Sequence, residues 1–135
     1  MIFLDSAAIV KMIRREAESA ALETWLATQP DKQLVASALV LTEVPRALRR
    51  SDPGRLAAVP TVLARLDRVA VDETVLATAA AYSDPMLRTL DAIHLASAQT
   101  LVLEGMSLTA LVTYDKRLLA AAGEVGLPTA APGAG

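Results

Sequence analysis

Met1-Ile2-Phe3-Leu4-Asp5-Ser6-Ala7-Ala8 sets the unit from which the rest of the chain is built. Four uninterrupted apolar residues read as a strand buried on both faces, and a carboxylate closes the run. Helical spacing begins at once: Ile9, Val10 and Ile13 mark one apolar face, and Ala17, Ala21, Leu22, Trp25 and Leu26 mark another, so Ser6–Thr28 is expected to be helix in two segments. The same alternation continues. Gln33–Ala36 is a second strand, with Ser37 as N-cap of the helix that follows, and Asp52-Pro53 opens a segment to Asp67. Arg68–Val71 is a third strand, and Asp72 caps a helix over Glu73–Tyr82. Ser83-Asp84-Pro85 turns the chain into a helix capped by Thr89 and running to about Glu104. Thr109–Thr113 is a fourth strand, Asp115–Ala122 a helix ended by Gly123, and Leu127–Ala131 a fifth strand. Repeated strand–helix alternation predicts an α/β fold: a single domain over residues 1–131, with a central parallel sheet of about five strands and helices on both faces. Residues 132–135, small residues with Pro and Gly, are expected to be a flexible tail.

Composition narrows the classes. With 135 residues and 53% hydrophobic content, the chain has enough apolar surface for one core. Cysteine is absent, which excludes disulfides and thiolate-bound zinc. The longest stretch without Asp, Glu, Lys or Arg runs only from Ala92 to Leu103, too short for a membrane span. The N-terminus lacks the basic flank of a secretory signal, so no membrane association and a cytoplasmic location are expected. A net charge of −2 and four aromatic residues (Phe3, Trp25, Tyr82, Tyr114) argue against nucleic-acid binding by bulk charge or base stacking.

The acids carry the chemistry. In open α/β sheets, ligands bind beyond the carboxyl ends of the strands. Asp5 directly follows strand one, and Asp115 lies two residues past strand four. Glu43 sits in a strongly apolar helix, where Leu39, Glu43, Arg46 and Arg50 share a stripe, and Asp91 falls in the first turn of its own helix. Singly, each has an ordinary reading as a cap, a dipole partner or a surface ion pair; Asp52, Asp72 and Asp84 are assigned that way. Together, four converging carboxylates could not all ionise without a counter-charge. Mg²⁺, or Mn²⁺ in its place, would supply one, in a site suited to phosphoryl transfer. One such cation brings the formal charge to zero and a second makes it positive.

Four segments carry a family resemblance over essentially the whole chain. They are Met1 to Ala8, Ser37-Ala38-Leu39 through Thr42-Glu43-Val44, Leu90-Asp91-Ala92-Ile93-His94-Leu95-Ala96-Ser97-Ala98, and Leu111-Val112-Thr113-Tyr114-Asp115-Lys116-Arg117-Leu118. In this order they resemble PIN-domain ribonucleases, and more narrowly VapC-type toxins of type II toxin–antitoxin pairs. The resemblance implies a magnesium-dependent endoribonuclease with Asp5 and Asp91 as principal metal ligands. Glu43 and Asp115 would complete the acidic pocket, through bound water or by positioning the nucleophile. Ser6 and Thr113 would be hydroxyls that orient the carboxylates. It also implies an RNA substrate, a cognate antitoxin that blocks the pocket with a basic side chain, and a homodimer.

Pro45 departs from a regular helix two residues after Glu43. It requires either a kink or a helix that starts late, with Thr42 as cap. His94, the one histidine, shares a face with Asp91 and is read as a structural hydrogen-bonder beside the pocket in preference to a ligand. Basic residues cluster at Lys11, Arg14 and Arg15, at Arg46, Arg49 and Arg50, and at Lys116 and Arg117. Arg46 and Arg50 are candidates for RNA or antitoxin contact, whereas Arg55, Arg65 and Arg68 read as solvated surface. Ala7 stands where a haloacid-dehalogenase-like enzyme needs its second aspartate, and no phosphate-binding glycine loop exists. Asp5-Ser6 and Val71-Asp72 match a receiver domain poorly. A catalytically silent PIN-like binding module and a housekeeping PIN-domain nuclease remain as alternatives.

Overall fold

The computed structural model describes residues 1–134. Five strands, β1 (Ile2–Leu4), β2 (Leu34–Ser37), β3 (Asp67–Val69), β4 (Ala110–Val112) and β5 (Thr129–Ala130), form one sheet in the order β3-β2-β1-β4-β5. Every pairing is parallel. The helices are α1 (Ser6–Ile13), α2 (Ser19–Thr28), α3 (Val40–Ser51), α4 (Val59–Leu63), α5 (Glu73–Ala80), α6 (Thr89–Leu103) and α7 (Lys116–Glu124), with a 3-10 turn at Pro53–Ala58.

Alternation along the strands builds two cores. Ile2, Leu4, Ala36 and Val112 point to the face covered by α1 to α4, where they meet Ile9, Leu22, Val44 and Leu48. Phe3, Val35 and Leu111 point to the other face and pack on Leu95, Ala98, Leu118 and Ala122 of α6 and α7. Helix α5 packs on the far side of α6 through Val75, Ile93 and Ala96. Because α6 is thus enclosed between the sheet and α5, every residue from Ala92 to Ala98 is buried. Its buried hydroxyls bond back to their own helix, Ser97 Oγ to the Ile93 carbonyl at 2.8 Å and Thr100 Oγ1 to that of Ala96 at 2.9 Å.

The chain leaves β1 first toward β2 and β3, then returns to the opposite side as β4. The order therefore reverses between β1 and β4, and the crevice beyond their carboxyl ends is where such a sheet takes a ligand.

Several element boundaries differ from the sequence reading. Ser37 is the last residue of β2 and not an N-cap; its Oγ accepts from Leu39 N at 3.2 Å across a turn, and α3 begins at Val40. Pro45 therefore lies in the second turn of α3, without Thr42 as cap. The carbonyl it deprives of a partner is that of Leu41, which is 49% exposed, so water can satisfy it. Asp52 makes no cap bond, and the segment after it is 3-10 before it is α. Arg88, not Thr89, is the N-cap residue of α6. Gly123 stays within α7, and the chain turns at Gly126, whose φ of +79° glycine tolerates. In the C-terminal segment, Pro132 O accepts from Tyr114 Oη at 2.8 Å, and Gly135 lies outside the described residues.

Leu95 is fully enclosed between sheet and helices. Leu95→Ala is expected to cost about 2–5 kcal/mol in a urea unfolding curve, with an unchanged m-value.

Candidate active site

The crevice holds a cavity of about 330 Å³ lined by Asp5, Glu43, Asp91 and Asp115, together with His94 and Arg88. Four acids from four separate segments are thus brought to one place. Ser6 and Arg50 also line it, whereas Arg46, on the exposed side of α3, does not. A second cavity, about 400 Å³, opens at the other end of the strands beside Ile2, Leu34, Asp31 and Lys32, away from these acids.

Asp5 is placed by β1 and fixed from two sides. It is the N-cap of α1, where Oδ1 accepts from Ala8 N at 2.9 Å. Its Oδ2 accepts from Thr113 Oγ1 at 2.5 Å, just past the end of β4. Burial, with 4% of the residue exposed, pushes its pKa above the ordinary aspartate value. The bonds from Thr113 and Ala8 oppose that rise, and the charge of Asp91 adds to it. The charge of Asp91 is therefore felt at Asp5 across the cavity.

Asp115 is also an N-cap. Its Oδ1 accepts from Arg117 N at 2.9 Å and Leu118 N at 3.0 Å, while its own N–H donates to Thr113 Oγ1 at 3.2 Å. Thr113 thus ties the first and last of these four acids together.

Glu43 enters from the first turn of α3 and is oriented by other elements. Its Oε1 accepts from Ser6 Oγ at 2.8 Å and from His94 Nε2 at 2.6 Å. Partial burial pushes its pKa up, but the bonds from His94 and Ser6 outweigh that and leave it below the ordinary glutamate value. Glu43 is held as a carboxylate. His94 is 1% exposed, and its Nδ1 has no partner among the described residues. Ser6 Oγ lies 3.3 Å from the same Nε2, so serine and glutamate share one ring nitrogen instead of flanking the ring as a nucleophilic triad requires. Asp91, in the first turn of α6, is bonded through Oδ2 to Arg88 Nε at 3.1 Å.

Arg88 was not singled out in the sequence reading. Its Nη2 reaches Asp115 Oδ2 at 3.1 Å, so one guanidinium bridges two acids. A local signal existed: a cation at a helix N-terminus opposes the helix dipole, which points to some other partner. The other basic clusters divide. Lys11 is paired with Glu16 and Glu18, and Arg14 with Glu16, whereas Arg46, Arg49 and Arg50 have no ion pair among the described residues.

Comparison with known proteins agrees with this architecture. The family model described as PIN domain matches residues 2–124. The chain is 52% identical over 133 residues to ribonuclease VapC35 of Mycobacterium tuberculosis, covering 98% of each sequence. Among solved structures, VapC20 of M. tuberculosis, a toxin that cleaves the sarcin–ricin loop, superposes with a TM-score of 0.71 at 17% identity, over 98% of this chain and 100% of that one. A toxin–antitoxin complex from Klebsiella pneumoniae superposes with a TM-score of 0.66 at 16% identity, over 89% of this chain and 91% of that one.

The raised pKa of Asp5 fixes the sign of a pH effect. Below about pH 4, the ordinary aspartate range, Asp5 is protonated folded or unfolded and its ionisation costs nothing. As pH rises, the unfolded chain ionises first, and wild type loses stability until the folded pKa is passed. Without divalent cations, Asp5→Asn should melt above wild type at pH 7, and thermal scans should show the gap closing as pH falls to 4.

Proposed function

The chain belongs to the PIN-domain family and, within it, to the VapC-type ribonuclease toxins, and on that premise we propose that it is a magnesium-dependent endoribonuclease acting through Asp5, Glu43, Asp91 and Asp115. The observation that carries this reading is the convergence of those four acids in one cavity at the point where strand order reverses.

The donor chemistry fits a hard divalent cation. Every acid offers oxygen, and no thiol exists in the sequence. Among the described residues, no group of three or more His, Asp or Glu side chains is gathered as a ready-made cage. The proposed occupant is an ion that takes one or two carboxylates and keeps its waters, as Mg²⁺ does, with Mn²⁺ as substitute. Asp5 and Asp91 are the pair for this role, since the charge of Asp91 opposes the ionisation of Asp5 and a shared cation would offset it. A bound Mg²⁺ would polarise the phosphate and stabilise the charge that develops on it.

The chain's own groups divide the remaining work. Thr113 and the α1 N-terminus hold Asp5 in one orientation. Ser6 and His94 keep Glu43 ionised and aimed at the cavity, where it can accept a proton from an attacking water. Asp115, locked by its cap bonds, keeps Oδ2 toward the cavity. Arg50 lies on the cavity wall without an ion pair among the described residues and is suited to a phosphate of the RNA strand. Arg46 would meet RNA or antitoxin outside the cavity.

The same acidity supports a cognate antitoxin that closes the cavity with a basic side chain; one solved neighbour is itself a toxin–antitoxin complex. Leu76 on α5, Met86 in the turn that follows and Leu90 at the start of α6 are exposed large apolar side chains and offer surface for a homodimer. No helix among the described residues is long and apolar enough to cross a membrane; a cytoplasmic location is part of this proposal.

Purified protein incubated with a total small-RNA pool in Mg²⁺ or Mn²⁺ should cut it. EDTA should abolish cutting, and Asp5→Asn should lower it by at least about 100-fold, the loss expected when a principal catalytic charge is removed. Cleavage that survives Asp5→Asn overturns the four-acid mechanism. Folded protein that neither cuts RNA nor gains thermal stability from millimolar Mn²⁺ is instead a silent binding module.

A further inference from the structure

Arg88 donates through Nε to Asp91 Oδ2 and through Nη2 to Asp115 Oδ2, both at 3.1 Å. Asp115 Oδ1 is already committed to two backbone N–H groups of α7, so Arg88 sits on the oxygen left for the cavity. Little else holds the guanidinium there. The side chain is 66% exposed, it makes no cap bond to α6, and it stands at the end of the helix where the dipole repels a cation. Its neighbour Leu87 is buried, so the backbone is anchored while the side chain is not.

We propose that Arg88 is a displaceable counter-ion: a divalent cation binding at Asp91 must evict its guanidinium, which then takes a phosphate of the RNA strand. The inference rests on the cation-dependent reading above. A guanidinium and a divalent cation on the same carboxylate oxygen repel each other strongly at contact distance. The arginine is the party that leaves, because exposed ion pairs are weak and its long side chain has solvent to move into. Once released from Asp91 it can pivot about Asp115 at the cavity rim. Its planar fork matches two phosphate oxygens as well as it matched two carboxylates. In the free protein, Arg88 offsets part of the acid repulsion that would otherwise splay the site; on loading, it transfers that charge to the substrate.

Two readouts should move in opposite directions in Arg88→Gln. Mn²⁺ alone, titrated into the full chain without RNA and followed by calorimetry or by the electron paramagnetic resonance of free Mn²⁺, should bind about tenfold tighter than to wild type at low ionic strength, with a smaller gain at high salt. At saturating Mn²⁺, cleavage of the small-RNA pool should nonetheless fall about tenfold or more, the loss of a charge-assisted phosphate contact. Mn²⁺ affinity that is unchanged or weaker in Arg88→Gln overturns the inference while leaving the metal reading intact. Tighter Mn²⁺ with undiminished cleavage overturns the phosphate half. Absence of Mn²⁺ binding by both proteins overturns the cation reading and this inference with it.

Discussion

The contact between Thr113 and Asp5 is the constraint on which the site depends. It joins the residue after β1 to the residue after β4, the two strands between which the sheet order reverses. Asp5 also starts α1, and Thr113 in turn receives the backbone N–H of Asp115, which starts α7. Two strand ends, two helix starts and two acids are therefore fixed by one buried hydroxyl. Burial costs Asp5 some of its readiness to ionise, but it also excludes the water that would let the carboxylate swing.

A second anchor works differently. Glu43 is not placed by its own helix alone, since α3 carries Pro45 in its interior. Ser6 from α1 and His94 from α6 pull its carboxylate to a defined point, across 37 and 51 residues of sequence. Three helices that pack on opposite faces of the sheet thus meet at one carboxylate oxygen, and a local irregularity in α3 is corrected by tertiary contacts.

Much of this was legible in the sequence because interior parallel strands are continuous apolar runs, and Met1–Leu4, Gln33–Ala36 and Thr109–Thr113 stood out as such. The acids followed from the strand ends. The edge strand β3 was harder to place: Asp67 and Arg68 are exposed, charged and unlike a strand, and their pairing with Val35 and Ala36 sets its bounds. The start of α3 was hidden because the Ala38–Leu39 turn leaves no sequence signature, while Ser37 looks like a cap. Arg88 was invisible for a deeper reason. Its partner Asp115 lies 27 residues away in another element, and only the closed sheet makes them neighbours.

The four acids are not equivalent to the fold. Asp5 and Asp115 begin helices through their side chains, whereas Glu43 and Asp91 lie in first turns and cap nothing. Loss of such a cap costs about 1 kcal/mol irrespective of chemistry. In a lineage released from hydrolysis, folding would therefore still hold a capping side chain at positions 5 and 115 while the two inner acids drifted. Decay of the enzyme would be written first at Glu43 and Asp91; the aspartate that begins α7 would outlast the activity it once served, and position 5 would pass to asparagine, which keeps the cap without the buried charge.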